Sequence, residues 1–211
     1  MRTLTNKNFL MQRFEFAEFE GKWLDSFAKP ELRGVWTMYG ASGQGKTSFC
    51  LQMAKYLTNF GRVRYLSLEQ GVSLSLQQEW IRENMNDCGN NISLASNAEF
   101  DEVVAALKRR KAPSIWIIDS INYWQGVPYK TLRKRMTDAY PDKLFIFIAH
   151  EKNGQPSGST AQQLYYHSDV KMKVEGFKVF INSRYATSEV GGEPYIIWQE
   201  GADRYWQEKL Q

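Results

Sequence analysis

Gly40-Ala41-Ser42-Gly43-Gln44-Gly45-Lys46-Thr47 is the stretch of this sequence that decides the fold. It fits the pattern G-x-x-x-x-G-K-[ST], in which backbone N–H groups of a tight loop and of a helix N-terminus converge on phosphate groups. In that pattern Lys46 places a cation on the β- and γ-phosphates, and the Thr47 hydroxyl ligates Mg²⁺. We therefore predict an ATP-binding loop that extends to Ser48, with Mg²⁺ as the accompanying ion.

On both sides of this loop, short apolar runs alternate with segments of helical periodicity. The run 34–39 predicts a strand that ends at the loop, and 46–59 predicts the helix that follows it. Further strands are predicted at 63–68, 92–95, 114–118 and 144–149, and further helices at 76–86, 99–110 and 130–139. This alternation indicates βαβ units and a mostly parallel central sheet flanked by helices.

The pattern changes after residue 155. Residues 169–174, 177–183 and 195–199 predict strands, joined by Glu175-Gly176 and Gly191-Gly192. These turns are short enough for antiparallel hairpins. The predicted fold class is therefore α/β, with antiparallel C-terminal strands beside the parallel ones. We expect residues 1–33 to form an N-terminal leader and residues 34–211 to form the core.

Composition narrows the class of protein. The 211 residues include 27 basic and 23 acidic ones, and the resulting net charge of +4 is too small to indicate nucleic-acid binding by itself. Two cysteines provide neither a disulfide framework nor a zinc cluster. No apolar run approaches the ~20 residues of a membrane span, and the first residues lack the apolar block of a signal peptide. We expect a cytoplasmic protein without membrane association.

Two acidic residues follow predicted strands. Asp119 ends the buried run 115–118, where a neighbouring strand would bring its carboxylate to the phosphate loop to hold Mg²⁺. The next residue is Ser120, so the Asp-Glu pair of many ATPases is absent. Glu69 ends the strand at 63–68 on the same rim, where it could orient and polarise the attacking water. The alternative for each carboxylate is a capping or turn role.

These motifs together resemble the RecA-like ATPases, and most closely the RadA and KaiC-like branch. Residues 65–69 (Tyr-Leu-Ser-Leu-Glu) and 118–120 (Ile-Asp-Ser) resemble the strands of that branch. Residues 149–154 are similar to its His-x-x-Lys-x-Gly segment, and residues 166–170 resemble its Glu-His-x-Val-Asp region less closely. The resemblance implies that His150 lies at the γ-phosphate end and senses hydrolysis, beside catalytic Lys46 and Glu69.

A last motif, Asn182-Ser183-Arg184-Tyr185, resembles the Lys-Asn-Arg-Phe motif of that branch. The resemblance implies that Arg184 reaches the nucleotide of a neighbouring subunit, within a ring or a filament. Asn182 replaces the usual Lys, which leaves open whether hydrolysis across subunits is fast. In the leader, residues 14–17 fit the F-x-x-A tether of some recombinases. We rather expect Phe14, Phe16, Phe19 and Trp23 to pack onto the edge of the core.

RecA-like proteins bind single-stranded DNA through two loops on the sheet rim, and the corresponding segments here are 122–130 and 151–163. Aromatic residues interleaved with basic ones suit base stacking and backbone tracking. The resulting DNA-binding candidates are Tyr123, Trp124, Lys130, Arg133, Lys134 and Lys152. The second segment has the composition of a mobile loop. The alternative is that the aromatics are buried and the basic residues form a solvated helix face.

Three functions remain open at this point. The leading one is an ATP-hydrolysing oligomer that acts on single-stranded DNA in recombination, repair or replication. The second is a nucleotide-dependent assembly or signalling module, in the manner of KaiC, whose partner is protein. A small-molecule kinase would need an arginine-rich lid, which we do not find. The Asn-Lys-x-Asp motif that selects guanine is absent, which disfavours GTP.

Overall fold

The computed structural model describes residues 3–210. Its strands are β1 (Gly34–Gly40), β2 (Val63–Ser67), β3 (Ile92–Ser96), β4 (Ile115–Asp119), β5 (Leu144–Lys152), β6 (Gln155–Pro156), β7 (Val170–Glu175), β8 (Lys178–Ser183) and β9 (Tyr195–Ile196). Its α-helices are α1 (Asn6–Leu10), α2 (Gly21–Phe27), α3 (Lys46–Leu57), α4 (Leu74–Arg82), α5 (Phe100–Leu107), α6 (Tyr129–Leu132), α7 (Ser159–His167) and α8 (Gln199–Glu208). Within residues 3–210, no helix combines the length and the apolar character needed to cross a membrane.

The strands form one sheet in the order β3-β2-β4-β5-β1-β7-β8-β9, and β6 pairs with β5 outside this series. Strands β1, β2, β3, β4, β5 and β7 pair in parallel, whereas β8 and β9 continue the sheet in antiparallel fashion. The predicted α/β class with an antiparallel C-terminal flank is confirmed. One detail differs, because β5 lies between β1 and β4, and Asp119 is therefore on the next strand but one from the phosphate loop.

Apolar side chains cover both faces of the sheet. On one face Trp36 and Met38 of β1 pack with Phe49 of α3. On the other face Ile118 and Phe147 pack with side chains of α5 and α7. Residues 115–118 and 144–149 are buried throughout, which is why both runs read as continuously apolar rather than alternating.

Part of the predicted leader belongs to this core. Phe19 and Trp23 are buried, and both rings pack on Tyr56, with ring centroids 5.1 Å and 4.7 Å away. Their predicted packing on the core is confirmed. The expectation for Phe14 and Phe16 is wrong, since these side chains are about half exposed, at 47% and 53%. The outermost positions of the predicted leader and core, residues 1, 2 and 211, lie outside the described part of the chain.

Two C-terminal predictions need correction. Residues 151–163, expected to be a mobile loop, instead form the β5–β6 hairpin and the start of α7. Asn153 and Gly154 make the hairpin turn with φ of 53° and 75°, the left-handed conformation that an Asn-Gly pair adopts readily. The strand expected at 195–199 stops at Ile196, and α8 follows. The spacing of Ala202, Tyr205 and Trp206 was the helical signal there.

Candidate nucleotide-binding site

The loop between β1 and α3 has the backbone that its glycines permit. Gly43 and Gly45 have φ of 74° and 93°, a region that residues with a Cβ rarely adopt. A Cβ on Gly40 would lie 2.3 Å from the carbonyl oxygen of Val174, so only glycine allows β1 to approach β7 this closely. The Gln44 side chain accepts a hydrogen bond from Gly176 N at 2.6 Å. The loop is thereby tied to the β7–β8 turn.

Lys46 is the first residue of α3 and folds back over the loop. Its Nζ donates to the carbonyl oxygen of Ala41 at 2.7 Å. Burial lowers the pKa of the Lys46 ammonium, which nearby carboxylates, including Glu69 and Asp119, partly oppose. A phosphate oxygen can replace the Ala41 carbonyl as acceptor, and a charge-assisted hydrogen bond to it would be stronger than the present one.

Asp119 ends β4 at the rim and is held by β2. The Tyr65 hydroxyl donates to Asp119 Oδ2 at 2.5 Å. The Asp119 carbonyl accepts from Leu68 N and Glu69 N, at 2.6 Å and 3.1 Å. Burial raises the pKa of the Asp119 carboxyl from 3.8 to about 6, although the Tyr65 hydrogen bond opposes that rise. Asp119 is therefore a desolvated carboxylate near neutral pH, with Tyr65 OH on one of its two oxygens.

Glu69 and His150 meet at the same rim. His150 Nε2 lies 2.8 Å from Glu69 Oε2 and 3.4 Å from Ser120 Oγ. The β1–β5 register places His150 directly opposite Gly40, at the start of the phosphate loop. Both side chains are partly exposed, at 39% for His150 and 40% for Glu69. A hydrogen-bonded pair with access to solvent therefore stands beside the phosphate loop.

A cleft of about 350 Å³ contains most of the residues that the sequence analysis assigns to the nucleotide site. It is lined by Ser42, Gly43, Gly45, Lys46, Thr47, Ser48, Glu69, Gln70, Glu79, Arg82, Asp119 and Phe177. The sequence analysis did not identify four of these residues: Gln70, together with Glu79 and Arg82 of α4 and Phe177 of the β7–β8 turn. Arg82 Nη2 lies 3.4 Å from Ser48 Oγ and 3.6 Å from Glu79 Oε1. The i, i+3 spacing of Glu79 and Arg82 places both on one helix face, but nothing local indicated which face meets α3.

The cleft fits a magnesium nucleotide. No cluster of three or more His, Cys, Asp or Glu residues suited to a metal ion occurs within residues 3–210. Mg²⁺ bound with a nucleotide needs no such cluster, because one or two protein oxygens, waters and phosphate oxygens complete its coordination. Thr47 and Asp119 supply a hydroxyl and a carboxylate, the hard oxygen ligands that this ion prefers. Open space beside Gly43 leaves the loop backbone accessible.

Arg184 lies at the opposite end of the strands from the phosphate loop, where the parallel strands begin. It follows β8, whose last residue, Ser183, pairs with Val170 at the start of β7. The phosphate loop follows the far end of β1, about 20 Å away for a strand of this length. Arg184 Nη1 forms an ion pair with Asp169 Oδ1 at 3.1 Å. Arg184 therefore cannot reach the nucleotide site of its own chain, and a role in trans stays a prediction.

The DNA-binding candidates divide into two groups. Trp124 is buried, its Nε1 donates to the Ala98 carbonyl at 3.0 Å, and its ring packs edge-on against Phe100. Trp124 therefore cannot stack on a base, and that expectation is wrong because the ring completes the core. The remaining candidates, Tyr123, Lys130, Arg133, Lys134 and Lys152, are exposed. The Arg133 charge is partly offset by Asp138, 3.0 Å away.

We expect Asp119→Asn to stabilise the ligand-free protein at pH 8 and to leave its stability unchanged near pH 3. The folded-state pKa of Asp119, about 6, lies above the ordinary value, so this group destabilises the fold increasingly as pH rises from about 4 to 6. A pKa rise from 3.8 to about 6 corresponds to about 3 kcal/mol, an upper bound for the gain in the free energy of unfolding. The asparagine carbonyl can still accept from Tyr65.

Urea unfolding of both proteins across this pH range, without Mg²⁺ or nucleotide, measures the effect. Asp169→Asn, at the opposite edge of the sheet, is the control. A difference between Asp119→Asn and the parent protein that is independent of pH would contradict this account of Asp119.

The chain matches no protein-family model and no curated protein sequence. Among solved structures it is similar to the flagellar accessory protein FlaH from Methanocaldococcus jannaschii, with a TM-score of 0.54 and 15% sequence identity. The match covers 79% of this chain and 89% of that chain. A likeness at this identity concerns the fold, and the finer resemblance to the RadA and KaiC-like branch rests on sequence motifs alone. The chain has a RecA-like α/β fold with a mostly parallel central sheet and an antiparallel C-terminal flank.

Proposed function

We propose that this chain binds ATP with Mg²⁺ and hydrolyses the bond between the β- and γ-phosphates. The observation that carries the proposal is the convergence of Lys46, Thr47, Glu69 and Asp119 on one cleft at the rim of a RecA-like sheet. A phosphate loop alone supports binding. The hydrolytic part rests on Glu69, a partly exposed carboxylate that lines the same cleft as Lys46 and Thr47.

The side chains divide the reaction among them. Glu69 orients a water and takes its proton as the water oxygen bonds to the γ-phosphorus. The bond from that phosphorus to the bridging oxygen breaks, and ADP leaves with the electron pair. Lys46 stabilises the negative charge that develops on the phosphate oxygens. Thr47 and Asp119 would hold Mg²⁺, which supplies further neutralisation of that charge. His150 holds Glu69 through the 2.8 Å contact.

For the partner, we propose single-stranded DNA bound at the rim that carries the hydrolysis site. Tyr123 is 49% exposed, and its ring lies edge-on to that of His150, with centroids 6.1 Å apart. Lys130 and Lys134 are exposed on the segment that follows β4, and Lys152 is exposed at the end of β5. Exposed aromatic rings and exposed lysines are the side chains through which proteins bind single strands, by stacking and by phosphate contacts.

A second candidate is nucleotide-dependent self-assembly, and an exposed apolar surface favours it. Val72, Leu74 and Ile81 are 78%, 68% and 64% exposed, around a groove of about 590 Å³ that also includes Leu94. Grouped apolar side chains of this kind indicate a protein contact surface. Val72 lies three residues after Glu69, so nucleotide in the cleft could influence this surface. Arg184 would complete the site of a neighbouring copy in a head-to-tail arrangement.

One paired experiment separates the two candidates. The ATPase rate is measured with and without single-stranded DNA at about 50 mM and about 200 mM salt, because phosphate contacts weaken steeply as salt rises. In parallel, light scattering gives the mass with and without a non-hydrolysable ATP analogue. Stimulation by DNA that fades at the higher salt supports the first candidate. If DNA neither binds nor stimulates at the lower salt, and the analogue raises the mass, the second replaces it.

A further inference from the structure

Asn122 joins three segments of the rim through one side chain. It lies in the short 3₁₀ helix Ile121–Tyr123 that follows β4. Its Oδ1 accepts from the backbone N–H of His150 at 2.9 Å, and its Nδ2 donates to the carbonyl oxygen of Ser157 at 2.8 Å. A backbone N–H can only donate and a carbonyl can only accept, so the two partners determine the orientation of the amide.

His150, whose backbone N–H is bound by Asn122, is also the residue that contacts Glu69. The His150 backbone is engaged on both sides, since its carbonyl oxygen also accepts from Ser157 N at 2.7 Å. Its ring then reaches Glu69 Oε2 at 2.8 Å. A chain of hydrogen bonds therefore runs from Ser157 through Asn122 and His150 to Glu69. Removal of the Asn122 amide leaves His150 N–H and the Ser157 carbonyl without this partner.

We propose that Asn122 is a positioning residue for hydrolysis, which sets His150 so that its ring orients Glu69. The inference rests on the proposed ATPase function and deepens it. The same bonds tie Glu69 to the segment before α7, so displacement of that segment is transmitted to the catalytic carboxylate. A cavity of about 360 Å³ borders Asn122, between residues 121–128 and 157–161. A partner entering this cavity contacts both segments that Asn122 joins.

The contact itself can be tested without turnover, because the chain has only two histidines. The imidazole NMR signals of His150 and His167 are recorded for four proteins: the parent, Glu69→Gln, Asn122→Ala and the double variant. We expect Glu69→Gln to shift the His150 signals in the parent and to shift them much less when Asn122 is Ala. His167, which stacks on Tyr129, serves as the reference for an intact fold. An equal response to Glu69→Gln in both backgrounds would overturn the proposal.

The kinetic test is a double-variant cycle. We expect Asn122→Ala to lower kcat about tenfold while KM for ATP changes less than about twofold, because binding energy is unaffected and only the water-orienting group is displaced. In a His150→Ala background, Asn122→Ala should lower kcat by less than a further factor of about two, because Asn122 acts through His150. Gln207→Ala, an exposed position on α8, is the control and should behave as the parent.

Asn122→Ser provides a second variant if the alanine protein does not fold, because its side chain is too short to span both partners. Fully additive effects of Asn122→Ala and His150→Ala, or a change in KM alone, would contradict a positioning role. If the parent protein lacks ATPase activity, the proposed function fails, whereas the NMR comparison still decides whether Asn122 sets the His150–Glu69 contact.

Discussion

Lys46→Ala is expected to abolish ATP hydrolysis and to weaken nucleotide binding. The Lys46 ammonium is the cation at the start of α3, and its present acceptor is an uncharged loop carbonyl, 2.7 Å away. Loss of a charge-assisted hydrogen bond costs ~1.5–3 kcal/mol, or at least about tenfold in affinity. Loss of a group that stabilises transition-state charge lowers kcat by a further factor of about 10²–10³. Phosphate-release assays and calorimetric titration with an ATP analogue measure the two effects.

Lys55→Ala is the matched control. Lys55 lies on the same helix but at its far end, where Nζ pairs with Asp87 Oδ2 at 2.5 Å. It should retain the activity and affinity of the parent, because it lines no part of the cleft. If Lys46→Ala hydrolyses ATP at the rate of the parent, the phosphate loop takes no part in the reaction and the proposed function is wrong.

Glu69→Gln is expected to bind ATP with the affinity of the parent and to hydrolyse it about 10²–10⁴-fold more slowly, the range lost with a general base. The amide has nearly the same shape as the carboxylate and can still hydrogen-bond His150. It cannot accept the proton of the attacking water. Single-turnover measurements with saturating protein isolate this step from product release.

Glu79→Gln is the informative comparison, because Glu79 is the other glutamate that lines the cleft. Burial raises the pKa of the Glu79 carboxyl, and its Oε2 is buried without a hydrogen-bond partner. We expect Glu79→Gln to turn over at close to the parent rate. The reverse result, an impaired Glu79→Gln and an unimpaired Glu69→Gln, would show that the general base is Glu79.

Much of the candidate site can be predicted from the sequence, because its residues lie in a contiguous motif or directly after predicted strands. Gly40 to Thr47 form a contiguous loop, and its chemistry depends mainly on local backbone. Asp119 and Glu69 directly follow apolar runs, and the carboxyl ends of parallel strands meet at one edge. By contrast, Arg82 comes from a helix whose rotation about its axis is set by packing against α3. Its approach to Ser48 was therefore not predictable from local pattern.

Trp124 is a residue for which the sequence predicts the wrong environment. An aromatic residue among basic ones has the composition of a nucleic-acid surface, but composition does not say which way a ring points. The ring turned inward because Phe100 of α5 and the Ala98 carbonyl offer an apolar contact and a hydrogen-bond acceptor. Asn153-Gly154 differs from Trp124, because here the local sequence does indicate the structure. An Asn-Gly pair is typical of a hairpin turn, although the sequence analysis predicts a mobile loop for this segment.

The sequence by itself determined the phosphate loop, the alternation of strands and helices, and the carboxylates at the strand ends, because all of these depend on neighbours in the chain. Only the tertiary structure decided which of those residues touch. It inserted β5 between β1 and β4, which brought His150 onto Glu69, and it placed Arg184 on the far edge. Those contacts join residues that are distant in the chain, and the order and direction of the strands in the sheet bring them together.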